Sequence, residues 1–343
     1  MSTFVSIIVP CRNERPFIEA FVDNVYRQTW PSDQFEIIFG DGESRDGTRE
    51  YLESQSGIRR NLVVFNNSHR FVPHALNKAI AMSRGDIIVR MDVHSEYPDD
   101  YVEKLVHALE VYEADNTGGV WETLPGASTA VANAIALATS HPFGIGNASY
   151  RLGASEPMEA DTVPYGCFRR SVFDRFGMFD EHLSRNQDDE FNGRIRKGGG
   201  RIMLLPDVRI RYHARPTLMS MMKMFYQYGW FKPLVNLKLG SPATLRQFAP
   251  PLMVLGTFAA LLMLWVGILP FSWVLFPAVI YVLFTALVSL MIASGNGWNL
   301  WPLLMVVFPA IHYSYGIGYV RGIWDFMLSK RHLRGQTMVK DNR

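Results

Sequence analysis

The sequence predicts an α/β domain with a mostly parallel sheet and flanking helices, followed by an interfacial helix and C-terminal transmembrane helices. Two observations lead to this prediction. In the first third of the chain, short apolar runs rich in β-branched residues alternate with segments of helical spacing, a pattern typical of parallel sheets covered by helices. Later, residues 248–320 contain no Asp, Glu, Lys or Arg. The protein therefore joins a water-soluble domain to a membrane region.

The predicted elements alternate in the order expected of such a sheet. Strands are predicted at residues 4–10, 35–39, 62–65 and 86–91. Helices are predicted between them, at residues 17–28, 48–54 and 74–83. Beyond residue 118 the pattern is more mixed, with loop-like residues 141–153, a strand at 163–168 and a helix that begins near Asp188. The soluble part thus reads as strand and helix in turn, with a less regular second half.

Polar residues follow three of the predicted strands directly. They lie at residues 11–14, 41–46 and 92–94. Ligands of open α/β sheets bind outside the carboxyl ends of the strands. We therefore expect these three clusters to meet at one crevice.

The second half of the chain has the composition of a membrane region. Residues 218–239 are rich in Met and aromatic residues and carry lysines, which is typical of a helix at the membrane interface. Three apolar runs follow, at residues 249–269, 271–293 and 300–320. Each has about 20 residues, enough to cross about 30 Å of hydrocarbon. The third run contains His312, so a tilted, re-entrant or interfacial path stays open for it.

We predict four parts in the chain. Residues 1–216 form a catalytic domain, 217–248 an amphipathic interfacial segment, 249–320 a membrane region of two to three helices, and 321–343 a basic tail. Basic residues gather before the apolar region, which places the catalytic domain on the cytoplasmic side of the inner membrane. The basic tail also favours a cytoplasmic end, whereas three full crossings would place it outside.

Composition excludes several other classes of protein. The formal net charge of +2 gives no case for nucleic acid as a partner. The two cysteines, Cys11 and Cys167, fit a reducing compartment rather than a disulfide framework. We see no cleaved signal peptide at the N-terminus. Walker A, G-x-G-x-x-G and G-x-S-x-G sequences are absent, so the local marks of P-loop, hydride-transfer and serine-hydrolase chemistry are missing.

Four groups of residues could carry chemistry. Asp92 and His94 can reach one divalent cation, Mn²⁺ or Mg²⁺. Asp41 opens a loop whose carboxylate could accept hydrogen bonds from a base or ribose, although a plain strand-to-helix loop would look the same. Residues 187–190 include three consecutive acids, more than helix capping needs, and a base for an acceptor hydroxyl must be a carboxylate or His. The alternating basic residues 209–215 could attract membrane lipids, clamp a diphosphate, or do both.

In order along the chain, these residues resemble glycosyltransferase family 2. The resemblance covers roughly residues 4–232. It rests on VSIIVP at residues 5–10, Asn13-Glu14, Asp41-Gly42, Asp46-Gly47-Thr48, Asn77-Lys78-Ala79, Gly85-Asp86, Asp92-x-His94, Phe179-Asp180-Glu181, and Asp188-x-Glu190 with Arg194. The nearest subgroup is that of succinoglycan-type membrane glucosyltransferases of exopolysaccharide assembly. That likeness rests on Asp-x-His at 92–94, FGIG at 143–146 followed by Tyr150-Arg151, DTV at 161–163, and Tyr228-Gly229 with the apolar tail.

The resemblance implies a GT-A fold that uses a UDP-sugar and Mn²⁺ or Mg²⁺. Donor-binding residues would be Pro10, Asn13, Glu14, Asp41 and Asp92. The metal ligands would be Asp92 and His94, and the base either Asp188 or Asp189, with Asp188 favoured. Contacts to the acceptor or the diphosphate are expected at Gln187, Arg194, Arg215, Gln227 and Trp230.

Three departures from the family pattern matter. His94 stands where the usual Asp-x-Asp has its second acid. The change keeps a metal ligand but removes a negative charge, which would weaken the binding of Mg²⁺ relative to that of Mn²⁺. Gln187 replaces the Glu that usually precedes the base. Processive synthases carry Gln-x-x-Arg-Trp, whereas the segment Gln227-Tyr228-Gly229-Trp230 lacks the Arg. We therefore expect one sugar to be added per acceptor.

The leading hypothesis is an inverting transferase that moves a hexose, glucose by resemblance, from a UDP-sugar to a lipid-linked glycan acceptor at the membrane. Transfer onto polyprenyl phosphate and processive polysaccharide synthesis are the alternative activities. A silent membrane scaffold that only binds a nucleotide-sugar is the alternative outside enzymes.

Overall fold

The computed structural model describes residues 3–242 and 244–330. Residues 331–343 of the predicted basic tail lie outside the described residues. The strands are β1 Val5–Cys11, β2 Phe35–Asp41, β3 Leu62–Asn66, β4 Ile87–Arg90, β5 Ser95–Glu96, β6 Asn116–Leu124, β7 Met158–Glu159, β8 Cys167–Arg169 and β9 Ile202–His213. The α-helices are α1 Arg15–Tyr26, α2 Thr48–Ile58, α3 Val72–Met82, α4 Tyr101–Val111, α5 Ala130–Ala138, α6 Pro142–Ile145, α7 Ser149–Leu152, α8 Ser171–Phe176, α9 Gln187–Lys197, α10 Leu218–Leu239, α11 Ala249–Trp265, α12 Phe271–Asn296 and α13 Trp301–Gly322.

The nine strands form one mixed sheet, in the order β3-β2-β1-β4-β8-β6-β9-β5, with β7 paired to β9. The first four strands in that order run parallel to one another. Strand β8 then pairs antiparallel with β4 and β6. Strands β1 and β2 are buried along their whole length, as expected of parallel strands covered on both faces. The predicted α/β fold with a mostly parallel sheet is confirmed.

The predicted strand at 163–168 is wrong in its extent. Only Cys167–Arg169 pairs in the sheet, as β8. Tyr165 has φ of 48°, which is not an extended conformation, so the chain enters the sheet only after it.

The loop-like residues 141–153 contain the single-turn helices α6 and α7. The His141 side chain caps α6 by accepting from the Phe143 backbone amide at 3.1 Å.

The chain divides into two compact units, whose boundaries differ from the predicted ones. The first unit contains residues 3–122 and 153–212 of the described chain, and the second contains residues 123–152 and 213–330. We expected 123–152 to belong with the catalytic domain. Instead α5 and α6 pack against α13. In the second unit, His312 Nε2 donates to the Phe143 carbonyl at 2.7 Å, while its Nδ1 accepts from the Tyr281 hydroxyl at 2.8 Å.

Three segments of the second unit are long and apolar enough to span a membrane. They are Leu245–Trp265, Phe271–Asn296 and Trp298–Leu328. The third, whose path the sequence left open, is helical over all 31 residues and ends in a π-helical turn, Ile323–Leu328. It is also the most buried of the three within the unit.

Helix α10, predicted as an interfacial helix, packs closely on α13. A Cβ added to Gly229 would lie 2.0 Å from the Tyr315 carbonyl oxygen, and one added to Gly318 would lie 2.1 Å from that of Tyr226. Only glycine permits this approach of the two backbones, as in other helix pairs of membrane proteins. The position of α10 at a membrane surface stays a prediction.

Candidate active site

The carboxyl ends of β1, β2 and β4 lie side by side at one edge of the sheet. In the register of β1 with β2, Cys11 stands opposite Asp41. In the register of β1 with β4, Ile8 stands opposite Arg90. The loops that follow these strands carry Asn13 and Glu14, residues 42–47, and Asp92 with His94. The structure therefore brings together the three polar clusters that the sequence singled out.

Asn13 and Asp41 join the loops after β1 and β2. The backbone N–H of Asn13 donates to Ser44 Oγ at 2.8 Å, and Asn13 Oδ1 accepts from the backbone N–H of Arg45 at 2.9 Å. The carboxylate of Asp41 is fully buried, accepts from the Ser44 amide at 3.2 Å and lies 3.6 Å from Arg49 Nη1. Asn13 has φ of 54°, a left-handed conformation that Asn tolerates better than most residues. The two loops thus form a rigid, hydrogen-bonded rim.

Pro10 lies within β1, opposite Gly40 of β2, and is buried. Proline has no backbone N–H, so this position donates no hydrogen bond.

His94 links the loop after β4 to the loop after β1. Its Nδ1 lies 3.0 Å from Glu14 Oε2, and its Nε2 lies 3.9 Å from Asp92 Oδ1. Glu14 is buried, while 37% of the His94 side chain is exposed, so the imidazole lies at an opening. Phe17 packs edge-on against the imidazole ring. Glu14, predicted as a nucleotide ligand, is therefore placed behind His94.

Arg90, the last residue of β4, connects Asp92 with Asp188. Its guanidinium Nη1 donates to Asp188 Oδ1, and its Nη2 lies 3.7 Å from Asp92 Oδ2. Arg90 is buried, with only 5% of its side chain exposed. The sequence pattern did not single out this residue, because a cation that ends an apolar run such as IIVR is ordinary. Through it, the N-terminus of α9 is tied to the edge of the sheet.

Electrostatics at this pair follow from burial. Burial raises the pKa of Asp188 above its ordinary value, and the ion pair with Arg90 works against that rise. Burial alone would lower the pKa of Arg90, but Asp188 and Asp92 raise it above its ordinary value. About a third of the Asp188 side chain stays exposed. Asp188 thus combines a raised basicity with access from outside, which a general base requires.

The neighbours of Asp188 on α9 have other surroundings. Gln187 is buried and Asp189 is half-buried. Arg194 donates to both carboxylate oxygens of Glu190, at 2.7 and 2.9 Å, and also to the backbone carbonyls of Phe176, the last residue of α8, and Met178. These contacts hold the guanidinium within the domain. They give Arg194 the surroundings of a structural residue, and its contact with the acceptor or the diphosphate stays a prediction.

Arg215, Gln227 and Trp230 belong to the second unit. Gln227 is buried in α10. Trp230 Nε1 donates to Asp325 Oδ2 at 3.0 Å, and Arg321 Nε donates to the same oxygen at 2.7 Å. Trp230 therefore takes part in a polar contact that joins α10 to the π-helical turn after α13.

Asp92 and His94 fit a divalent cation chemically but do not enclose one. Two ligand atoms at about 2.1 Å from one cation can be up to about 4 Å apart, which admits the 3.9 Å between Asp92 Oδ1 and His94 Nε2. Among residues 3–242 and 244–330, no group of three or more His, Cys, Asp or Glu side chains is arranged to hold a metal ion. The remaining ligands would have to come from elsewhere, and substrate phosphate oxygens commonly supply them.

Comparison with known proteins gives one family. The sequence profile of glycosyl transferase family 2 matches residues 6–175. Succinoglycan biosynthesis protein ExoA of Rhizobium meliloti is 29% identical over 339 residues, 95% of this chain and 96% of that protein. The dolichyl N-acetyl-alpha-D-glucosaminyl phosphate 3-beta-D-2,3-diacetamido-2,3-dideoxy-beta-D-glucuronosyltransferase of Methanococcus voltae is 25% identical over 238 residues, 68% of this chain and 74% of that protein.

Two solved structures resemble the fold. The mannosyltransferase PcManGT from Pyrobaculum calidifontis, in complex with GDP-Man and Mn²⁺, has a TM-score of 0.59 at 19% identity, covering 95% of this chain and 88% of that chain. S. aureus TarS 1-349 in complex with UDP has a TM-score of 0.51 at 15% identity, covering 99% of this chain and 94% of that chain. At these identities the likeness establishes the GT-A-like fold.

Proposed function

We propose that the chain, whose residues 6–175 match the glycosyl transferase family 2 profile, is a membrane-anchored, inverting, non-processive transferase. The donor is a UDP-hexose, with glucose as the first choice, and the acceptor is a lipid-linked glycan in exopolysaccharide assembly. The likeness to the succinoglycan protein along nearly the whole chain supports this assignment. The catalytic domain faces the cytoplasm at the inner membrane.

The observation that carries the proposal is the bridge from Asp92 through Arg90 to Asp188. It joins Asp92, the predicted donor and cation ligand in the loop after β4, to the predicted base on α9, although the two carboxylates lie far apart in the sequence. A transferase needs these two groups close together, because the base must act beside the anomeric carbon, whose bond to the diphosphate breaks.

In this proposal each residue has a defined task. Asn13 and Asp41 hold the nucleoside, and Asp92 with His94 faces the diphosphate. Asp188 accepts the proton of the acceptor hydroxyl as its oxygen attacks the anomeric carbon and the UDP oxygen departs, which inverts the anomeric centre. Arg90 keeps Asp188 ionised and oriented. A divalent cation bound at Asp92 and His94 would stabilise the charge of the departing diphosphate.

The second unit suits a lipid-linked acceptor. Its described residues hold eight Lys and Arg side chains and one acid, Asp325, which is already paired with Arg321. Basic side chains in a unit with three apolar spans favour the binding of anionic lipid headgroups and diphosphates. The Methanococcus voltae relative is named as acting on a dolichyl-linked sugar phosphate. Both observations support membrane lipids and a lipid-linked glycan as partners.

The experiment is a donor screen with purified full-length protein, Mn²⁺ and a lipid extract, read by release of the nucleotide. We expect UDP release from one UDP-hexose that depends on the extract, and a lipid product one sugar longer. A ladder of products would indicate a processive synthase, and a single sugar on polyprenyl phosphate would indicate the simpler acceptor. If the protein binds UDP-sugars but releases UDP from none of them, the silent nucleotide-sugar-binding scaffold would be supported instead.

A further inference from the structure

Glu14 is held rigidly at the start of α1. Its amide donates to Thr48 Oγ1 at 2.8 Å, and its carbonyl accepts from the amides of Phe17 and Ile18, both at 2.8 Å. Only 3% of its side chain is exposed. With the backbone held and the side chain buried, few directions are open to the carboxylate, and it is aimed at His94 Nδ1 at 3.0 Å.

This contact determines which ring nitrogen of His94 can act as a ligand. An ionised carboxylate only accepts hydrogen bonds, so beside an ionised Glu14 the proton of the ring lies on Nδ1, which donates to Glu14. The lone pair of the neutral ring then lies on Nε2, the nitrogen that faces Asp92 Oδ1. Histidines that bind metals commonly donate their other ring N–H to a carboxylate, which fixes the ring and makes the ligand more basic.

The same contact also places a negative charge next to His94. Compared with the usual Asp-x-Asp, the pair of Asp92 and His94 has one carboxylate fewer. The Glu14 carboxylate supplies that charge on the Nδ1 side of the imidazole. We propose that Glu14 is a positioning residue for His94, which fixes its ring with Nε2 towards a divalent cation and supplies the missing negative charge, rather than a ligand of the nucleotide. The inference rests on the proposed function, in which Asp92 and His94 bind that cation.

The first test determines the tautomer of His94, beginning with the wild-type protein. Full-length protein with ring-¹⁵N-labelled histidine, in detergent and free of metal, is examined by NMR, with His94→Gln to assign the signal. Neutral His94 is expected to carry its proton on Nδ1. In Glu14→Leu, which removes the acceptor from a buried position, the ring should exchange between both tautomers. The matched control is Glu19→Leu, an exposed glutamate on the same helix; it should leave the signal unchanged.

The second test measures Mn²⁺ affinity in the presence of UDP, by the signal of free Mn²⁺ in electron paramagnetic resonance. Loss of such a supporting carboxylate weakens metal binding by about 10- to 100-fold, and we expect a loss of this size in Glu14→Leu. Glu19→Leu should bind like the wild type. UDP affinity in EDTA should be the same in all three proteins, because Glu14 does not contact the nucleotide.

Each outcome decides the matter. A proton on Nε2 of wild-type His94, or unchanged Mn²⁺ affinity in Glu14→Leu, would overturn the proposal. A loss of UDP affinity in EDTA would assign Glu14 to the nucleotide instead. If the wild type shows the expected tautomer but binds neither Mn²⁺ nor UDP, the proposed function fails, and the contact between Glu14 and His94 is structural only.

Discussion

Replacing Arg90 with Met removes a buried cation from between two carboxylates. Methionine fills much of the same volume, so the change isolates the charge. The pKa of Asp188 is higher in the folded protein than in the unfolded chain. The free energy of unfolding therefore falls as pH rises from the unfolded-state pKa to the folded-state pKa, and Arg90 limits this loss by holding the folded-state pKa down. Without Arg90 the pKa of Asp188 rises further. The stability deficit of Arg90→Met should therefore grow with pH, between the wild-type pKa and the higher pKa of the variant.

The magnitude follows from burial. Removing one partner of a buried ion pair costs about 3–5 kcal/mol, and we take the lower end because a third of the Asp188 side chain is exposed. The control is Arg27→Met, whose ion pair with Asp99 is exposed on both sides and is worth about 0–1 kcal/mol. Thermal unfolding in detergent, followed by tryptophan fluorescence from pH 5 to pH 8, provides the comparison. A deficit that is independent of pH, or no larger than that of Arg27→Met, would refute the reasoning.

Three further predictions concern other parts of the molecule. Gly318→Ala should lower the yield of folded protein, because its Cβ would lie 2.1 Å from the Tyr226 carbonyl oxygen; Gly256→Ala, whose Cβ meets nothing within 4 Å, should not. His312→Leu leaves the Phe143 carbonyl without its donor and should cost about 1–3 kcal/mol in thermal unfolding, whereas equal stability would contradict the assigned bond. Chelation with EDTA should abolish UDP release, and Mn²⁺ should restore it better than Mg²⁺, since imidazole is a ligand that Mg²⁺ rarely takes; full turnover in EDTA would disprove metal dependence.

Local pattern was sufficient for the first four strands and for the long helices. Apolar β-branched runs mark buried strands, and α10 has the predicted bounds of residues 218–239. The packing of residues 123–152 with α13 could not be predicted in this way. His312 was conspicuous as the imidazole of an otherwise uncharged region, but its partner Phe143 is 169 residues away. Periodicity reports which face of an element is apolar, not which distant segment covers it.

The candidate site was predicted as a set of residue types, and its connections were not. Strand ends pointed to Asp41, Asp92 and His94, because the topology of a parallel sheet places such residues at one edge. Arg90 escaped notice because a cation at a strand end is ordinary, and its contact with Asp188 spans 98 residues. Glu14 was assigned to the nucleotide by position in the family. Its contact with His94 depends on how α1 packs, which no motif records.

The most direct test of the central claim compares transfer by Asp188→Asn, Asp189→Asn and the wild type, with the exposed Asp174→Asn as control. Loss of a general base reduces turnover by about 10²- to 10⁴-fold. We predict a loss of this size for Asp188→Asn alone, with binding of the UDP-sugar retained. Full turnover in Asp188→Asn would contradict the account, and a loss confined to Asp189→Asn would move the base to its neighbour.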